Sequence, residues 1–599
     1  MGLNVDTTRS EIYTIGYIKE YVQSAVDELL KVNMFEMGIS DEELERRQNK
    51  KTRLLAALND CIYGSKPDKE YVKEFIKDIL LRYYGINAVN INNIIPFDKK
   101  EHLTVQDKFD ILMHSYKEEH GYKALTVMIL KYGLDQLRKT GDMEYFFIDD
   151  EDINKIYEKE CPKLNYEDKY NIIVQRVYSL YKGYNVIDDI IDMQVDGISG
   201  GVNGLPESFV QDHKSEYEYL KNVTGGKVAR SYESVWLFFQ GKSIHMKFLS
   251  FGSYDELQRV CQNVYKFGNP GQLSKVDGYK VNKLKDGSRV VVLRPDLCET
   301  WCFWIRKFDL PDISLQGLIT DENYELVIEL IKYLVKGSMN IGVTGSQGSG
   351  KTTLLRAMVE HIYHPYTLRL LEMAFELHIR KSYPDRNVVS IQETDVISGQ
   401  VGLDVLKKTD GSVTIVGEVA SDPVAAYMIQ TAQVASLFTL FTHHAKKFPD
   451  LVMSLRNSLL KSNVFSNERI AEEQIIRVLN FDIHMERDIT GKRYIERITE
   501  CIPLDTDYYE PVDIYKINNS DDRDRLTKEA QYTYYTRMLG GRSYSYRNII
   551  EFDLENNRYV LKNKISDANI KTMKKAMMPE DRKLFSEFLG REFKLLGGE

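Results

Sequence analysis

The residues best suited to chemistry lie together at Gly345-Ser346-Gln347-Gly348-Ser349-Gly350-Lys351-Thr352, in the spacing GxxxxGK[ST]. Glycines at 345, 348 and 350 let the backbone take turns closed to residues with a Cβ. Successive N–H groups can then converge on phosphate oxygens. A helix starting there adds its positive end. Lys351 is spaced to reach the β- and γ-phosphates of a nucleotide and the Thr352 hydroxyl to bind Mg²⁺. Ser346, Ser349 and Thr353 complete the expected cradle. The bare pattern also occurs in glycine-rich turns that hold no ligand. Here the apolar MNIGVT before it and the helical TLLRAMVEHIY after it supply the strand–loop–helix setting a phosphate site needs.

Such a site needs an acid for the metal shell. VTIVGEV, residues 413–419, is an apolar, β-branched run ending at Glu418, and a carboxylate at the C-terminal end of such a strand falls beside the loop. Elsewhere it would be a solvated strand end. Glu372 and Glu376 in LLEMAFEL, taken on spacing alone, merely flank a strand. His444 in FTHHA is by itself an ordinary histidine.

The elements that must position these residues belong to a multidomain chain. At 599 residues it is too long for one core, and its 43% hydrophobic and 28% charged residues are those of a soluble globular protein. A formal net charge of −9 argues against a protein that coats nucleic acid. The six scattered cysteines contain no CxxC pair, only Cys298 and Cys302 as a lone CxxxC, and read as reduced thiols. The N-terminus has no basic-then-apolar signal pattern, and no stretch approaches the ~18 apolar residues a membrane span requires.

Residues 1–189 read as a helical accessory region. Ile12, Ile15, Ile18, Val22, Val26 and Leu29 mark one amphipathic helix, and YVKEFIKDILLRYYG and YKALTVMILKYGLDQLRK read as others. The charge run 45–53 reads as a solvated helix face. Glycines and a proline in VDGISGGVNGLP, 195–206, are expected to stop regular structure. Residues 190–315 read as an α+β domain, with strands in SVWLFFQGKSIHMKFLSF, SRVVVLRP and WCFWIRKF. Residues 316–505 alternate helices with short apolar strands, as an α/β sheet covered on both faces does. Residues 506–599, rich in tyrosine and charge, form a C-terminal extension.

The order of these motifs resembles the secretion ATPases of type II and type IV secretion, type IV pili and Tad pili, over roughly residues 190–505. It most resembles the CpaF type of Tad-pilus ATPase. There a DGSRV strand and a TIRKF-like strand precede a short linker and the P-loop domain. Here Asp286-Gly287-Ser288-Arg289-Val290 and FWIRKF, 303–308, occupy those places. The family's acidic box, IED..E, corresponds to residues 370–377. Glu372 matches its first acid, Met373 replaces the aspartate, and Glu376 matches the catalytic glutamate that orients or deprotonates water. Its GEVR is GEVA here, with Glu418 retained and Ala420 for the arginine. Its STxHA histidine box is FTHHA, which aligns His444 with the γ-phosphate-sensing histidine and leaves His443 as an extra. MERDITGKRYIERITEC resembles the strand pair that closes the motor domain. The tetracysteine zinc element of many type II secretion ATPases is absent from this sequence.

The resemblance implies a helical N-terminal region, an α+β N-terminal domain and an α/β RecA-like P-loop NTPase domain. It implies ATP and Mg²⁺, the metal held by Thr352 and Glu418, and catalysis by Glu376, Glu418, Lys351 and His444. Arg289 and Arg306 would act as arginine fingers, with a hinge near residues 310–318. It further implies a homo-hexamer at the inner face of the cell membrane, in the cytoplasm, acting on a polytopic inner-membrane platform protein in pilus assembly or secretion. A conjugative type IV secretion ATPase, and a degenerate ring subunit with little hydrolysis, are the alternatives. No nucleic-acid partner is expected.

Overall fold

The structure, a computed structural model, describes residues 11–31, 41–141, 143–225, 228–308, 314–394, 396–504, 519–540 and 543–593. The expected hinge falls partly on residues 309–313, outside these. The chain divides into two compact units, Met1–Leu310 and Pro311–Glu599.

In the first unit the helix Ile15–Lys31 buries Ile18, Val22 and Val26, the stripe its four-residue spacing dictates. The helices Val105–His120, Asp150–Glu160 and Tyr166–Tyr181 each begin in a capping box, closed by Thr104, Asp149 and Asn165. The helix expected across residues 122–139 is shorter, Ala124–Tyr132. Gly133, at φ 61°, takes the left-handed cap and turns the chain away. The chain then enters a pair of strands, β1 (Arg138–Thr140) and β2 (Met143–Ile148).

These strands join β3 (Gly197–Gly200), β4 (Val235–Phe239), β5 (Lys242–Met246), β6 (Tyr279–Lys283), β7 (Arg289–Leu293) and β8 (Cys302–Arg306). The sheet order is β1-β2-β5-β4-β3-β8-β7-β6, antiparallel except where β2 runs parallel to β5. The glycine-rich segment expected to break structure is thus the buried inner strand β3. Glycine is needed because its neighbours come so close: a Cβ on Gly197 would lie 2.3 Å from the Ile305 carbonyl oxygen. One apolar cluster runs through both helices and sheet.

The second unit is built on β9 (Ile341–Gly345), β10 (Leu368–Glu372), β11 (Val388–Gln392), β12 (Val413–Val416), β13 (Phe438–His443), β14 (Phe481–Arg487), β15 (Arg493–Pro503), β16 (Tyr544–Asp553) and β17 (Arg558–Leu561). Their order is β11-β10-β12-β13-β9-β14-β15-β16-β17. From β11 to β14 every pairing is parallel, and from β14 onward every pairing is antiparallel. This is the mixed sheet of an α/β domain, with the strand before the glycine-rich loop at its centre. Every residue of β9, β10 and β12 is buried, as strands covered on both faces must be. Alternate residues feed two clusters, Leu368 and Leu370 into one and Leu371 into the other. Among the described residues no helix is long and apolar enough to cross a membrane.

Residues 544–593 complete this sheet. β16 pairs along β15, and Met573, Phe585 and Phe588 enter the core beside Tyr333. The fully buried Glu500 on β15 ties the segment down. It accepts from Arg547 Nε at 2.9 Å, Ser566 N at 3.0 Å and Asn569 Nδ2 at 2.8 Å. Glu500→Ala strands Arg547 and the helix cap, so the second unit is expected to lose about 3 kcal/mol of unfolding free energy. Denaturant unfolding checks this, and a loss under about 1 kcal/mol would mean the segment is held by its apolar contacts alone.

Candidate functional site

The loop after β9 has the backbone its glycines allow. Gly345, Gly348 and Gly350 stand at φ 141°, 77° and 100°. A Cβ on Gly345 would sit 2.1 Å from the Met485 carbonyl oxygen, so only glycine fits. The helix Lys351–Val359 starts directly after the loop and points its free N–H groups into it. Lys351 is buried, and its Nζ donates to the carbonyls of Gly345 at 2.9 Å and Ser346 at 2.8 Å. Ser349, also buried, donates to Ser346 O at 2.9 Å and closes the turn. Thr352 and Thr353 follow, half-buried, in the first turn of the helix.

The carboxyl ends of the parallel strands bring the other candidates toward this loop. Glu418 lies two residues past β12 and His444 one residue past β13. Lys351 Nζ stands 3.4 Å from His444 Nδ1, and His444 Nε2 stands 2.9 Å from Glu418 Oε1. Lysine, histidine and glutamate thus form one polar chain at the loop's mouth. His443 faces elsewhere: its Nδ1 accepts from Ala445 N at 3.0 Å and its Nε2 lies 3.3 Å from Ser454 Oγ. Burial, with His444 and Lys351 nearby, pushes its pKa down to about 4.

Glu372 ends β10, buried, with Leu377 N donating to its Oε2 at 2.8 Å. Burial first, then the Glu376 charge, pushes its carboxyl up to about 7. Glu376 is half-buried beside it. Met373, where the resembled box has its aspartate, is exposed, as is Ala420. Arg289 and Arg306 belong to the first unit, where they face each other across β7 and β8. The Arg306 guanidinium lies 5.6 Å from the Phe308 ring centre.

Two sets of neighbours have no motif to announce them. Arg487 and Arg493 pair across β14 and β15 and flank the loop. A Cβ on Gly348 would lie 3.0 Å from Arg487 Nη1, and one on Gly350 would lie 3.6 Å from Arg493 Cδ. Thr344, just before Gly345, is buried against Asp482 and His484 of β14. Cross-strand register alone brings them there.

Residues 295–497, about a third of the chain, match a family described as type II/IV secretion system protein. The match covers every candidate above except Arg289. The competence protein ComGA of Halalkalibacterium halodurans is 28% identical over 117 residues, 20% of this chain and 33% of that protein. An uncharacterized protein of Bacillus anthracis is 23% identical over 209 residues, 31% of this chain and 45% of that one. The chain therefore spans less than half the length of either relative. The VirB11 ATPase of the Brucella suis type IV secretion system aligns at 16% identity and a TM-score of 0.26, over 51% of this chain and 89% of that one.

The raised carboxyl of Glu372 has a consequence for stability. The folded state keeps this proton above the ordinary value of 4.5. Its stabilisation is therefore full below that pH and is lost as pH rises through about 7. Glu372→Gln keeps the shape without the titration. Relative to wild type, the variant is expected to gain about 2.5 kcal/mol between about pH 5 and about pH 8. Unfolding at both pH values checks this, and a constant difference would mean that Glu372 ionises normally in the fold.

Proposed function

We propose that this chain is an ATPase motor of the type II/type IV secretion kind, with ATP bound on the loop 345–352. The observation that carries the reading is the chain Lys351–His444–Glu418 at the mouth of a loop whose three glycines all take positive φ. Lys351 brings a buried cation to the β- and γ-phosphates, and the loop N–H groups bring neutral donors. The residues also suit Mg²⁺. The Thr352 hydroxyl follows the lysine directly and the half-exposed Glu418 carboxylate stands on the same edge, so these two would hold the ion. Bound there, Mg²⁺ supplies charge neutralisation to the phosphates.

Glu376 is the proposed base. It takes a proton from water as the water oxygen bonds to the γ-phosphorus and the bond to the β-phosphate oxygen breaks, leaving with ADP. His444 is proposed to sense the γ-phosphate, and Arg289 and Arg306 to stabilise its developing charge. Of the finer readings, we favour a homo-hexameric, CpaF-like Tad-pilus motor at the inner face of the cell membrane. It would drive pilus assembly or secretion through a polytopic membrane partner. A second reading, a nucleotide-binding ring subunit with little turnover, is favoured by Met373 and Ala420, which bring neither acid nor cation to the site.

Steady-state ATP hydrolysis with parallel nucleotide-binding measurements tests both readings. Lys351→Ala is expected to abolish binding and turnover together. Glu376→Gln is expected to bind ATP normally but turn over about 100-fold more slowly. Tight ATP binding without turnover in the wild type would overturn the motor in favour of the ring subunit, and no binding at all would overturn both.

A further inference from the structure

Asp482 and His484 lie beneath the phosphate loop, two positions apart and so on the same face of β14. Parallel pairing sets His484 opposite Thr344 of β9. Thr344 Oγ1 stands 2.7 Å from Asp482 Oδ1 and 2.8 Å from His484 Nδ1. His484 Nε2 stands 3.2 Å from Glu486 Oε1. Asp482, His484 and Thr344 are all essentially inaccessible to solvent, whereas Glu486 is partly exposed. Asp482 Oδ2 is buried with no hydrogen-bond partner.

The Thr344 hydroxyl has one proton and two close partners, so one partner must donate to it. If that donor is His484 Nδ1–H, the ring also needs a proton on Nε2 to meet Glu486. The ring is then a buried imidazolium and Asp482 a buried carboxylate with one oxygen bare. That arrangement sets two charges in the core and leaves an anionic oxygen unsolvated. The other arrangement needs neither charge. Asp482 carries the proton and donates to Thr344, Thr344 donates to Nδ1, and Nε2–H donates to the solvated Glu486 carboxylate. Only a neutral carbonyl oxygen is then left bare.

We propose that Asp482, Thr344 and His484 form a neutral hydrogen-bonded chain that positions the phosphate loop, with the acidic proton on Asp482. This rests on the reading of residues 345–352 as a nucleotide site. Thr344 is the last residue before Gly345, whose carbonyl holds Lys351 Nζ. Anchoring the Thr344 side chain to β14 fixes the point from which loop and lysine spring. Asp482, Thr344 and His484 are therefore positioning residues, acting on Lys351 through the backbone of Gly345.

The charged groups facing the chain are Lys351 from the loop, Glu486 on β14, and Glu496 and Arg497 on β15. Within this setting burial pushes the Asp482 carboxyl up to about 7 and the His484 ring down to about 4, the charge states the neutral chain requires. As pH rises through about 7 the chain loses its proton, and the single Thr344 proton can then serve only one of its two partners, which loosens the anchor.

The test uses the full-length protein with Asp482→Asn and Asp482→Ala, since the amide introduced by the first can donate to Thr344 as the neutral acid does. The infrared difference spectrum, wild type minus Asp482→Asn, is expected to show a protonated carboxyl band below pH ~7 that fades above it. A carboxylate band in its place at low pH overturns the proposal. MgATP affinity is expected to be within about threefold of wild type at pH ~6 in Asp482→Asn and about tenfold weaker in Asp482→Ala. It is also expected to fall less with rising pH in Asp482→Asn than in wild type. Asp482→Asn binding as weakly as Asp482→Ala, with circular dichroism unchanged in both, overturns the proposal. Should the wild type bind no nucleotide, the nucleotide reading fails, and the infrared band still decides where the proton lies.

Discussion

Gly345 approaches the carbonyl of Met485 so closely that no side chain fits between them, and much of the second unit is arranged around that approach. β9 and β14 stay paired up to this point, with Gly345 in register with Met485. The chain then leaves the sheet through backbone conformations that glycine alone adopts freely. Lys351 comes back over the turn and is solvated by carbonyls of the loop itself instead of by water. The same approach makes β14 the floor of the site. Its residues, and those of β15 beyond it, are neighbours of the loop although they lie about 140 positions away in sequence.

The sheet divides its work between two halves. The parallel half, β11 to β14, ends its strands on one edge, and Glu372, Glu418, His444 and the loop collect there. The antiparallel half carries none of the expected site residues. It holds β14 in place through long pairings with β15 and, beyond that, β16. Glu500 is the strongest sign of this role, a buried carboxylate satisfied wholly by residues 547–569. Residues 544–593 thus stabilise the floor of the site without reaching it.

Local patterns in the sequence foretold local structure. The glycine spacing and the apolar runs of β9, β10 and β12 follow from residues within a few positions of one another. Two expectations failed where local preference met a tertiary demand. Glycines at 197 and 200 look like a break, yet they are what a strand squeezed between two others requires. Residues 134–139 continue a helical pattern, yet the left-handed Gly133 ends it. Features set by cross-strand register could not be read at all. Asp482 and His484 alternate with the apolar Phe481, Ile483 and Met485 on β14, and only the pairing of His484 with Thr344 gives them a shared partner. Arg487 and Arg493 belong to no motif, and only the β14–β15 pairing brings them against Gly348 and Gly350.

The charges at the loop's mouth balance in a way that bears on how the site responds to an anion. The Lys351 ammonium has protons only to give, so its contact with His444 makes Nδ1 an acceptor and places the ring proton on Nε2, facing Glu418. Cation, neutral ring and anion thus stand in line, each satisfied by the next. A phosphate that draws Lys351 toward itself takes away the donor at Nδ1. The ring then meets the new anion with a bare nitrogen unless it turns, and turning alters its hold on Glu418. Arrival of negative charge at the loop is therefore felt at the Glu418 carboxylate through one imidazole. The chain beneath the loop has no such freedom, since Thr344, Asp482 and His484 are enclosed on every side. The site combines a polar chain at its mouth that must rearrange with one at its floor that must not.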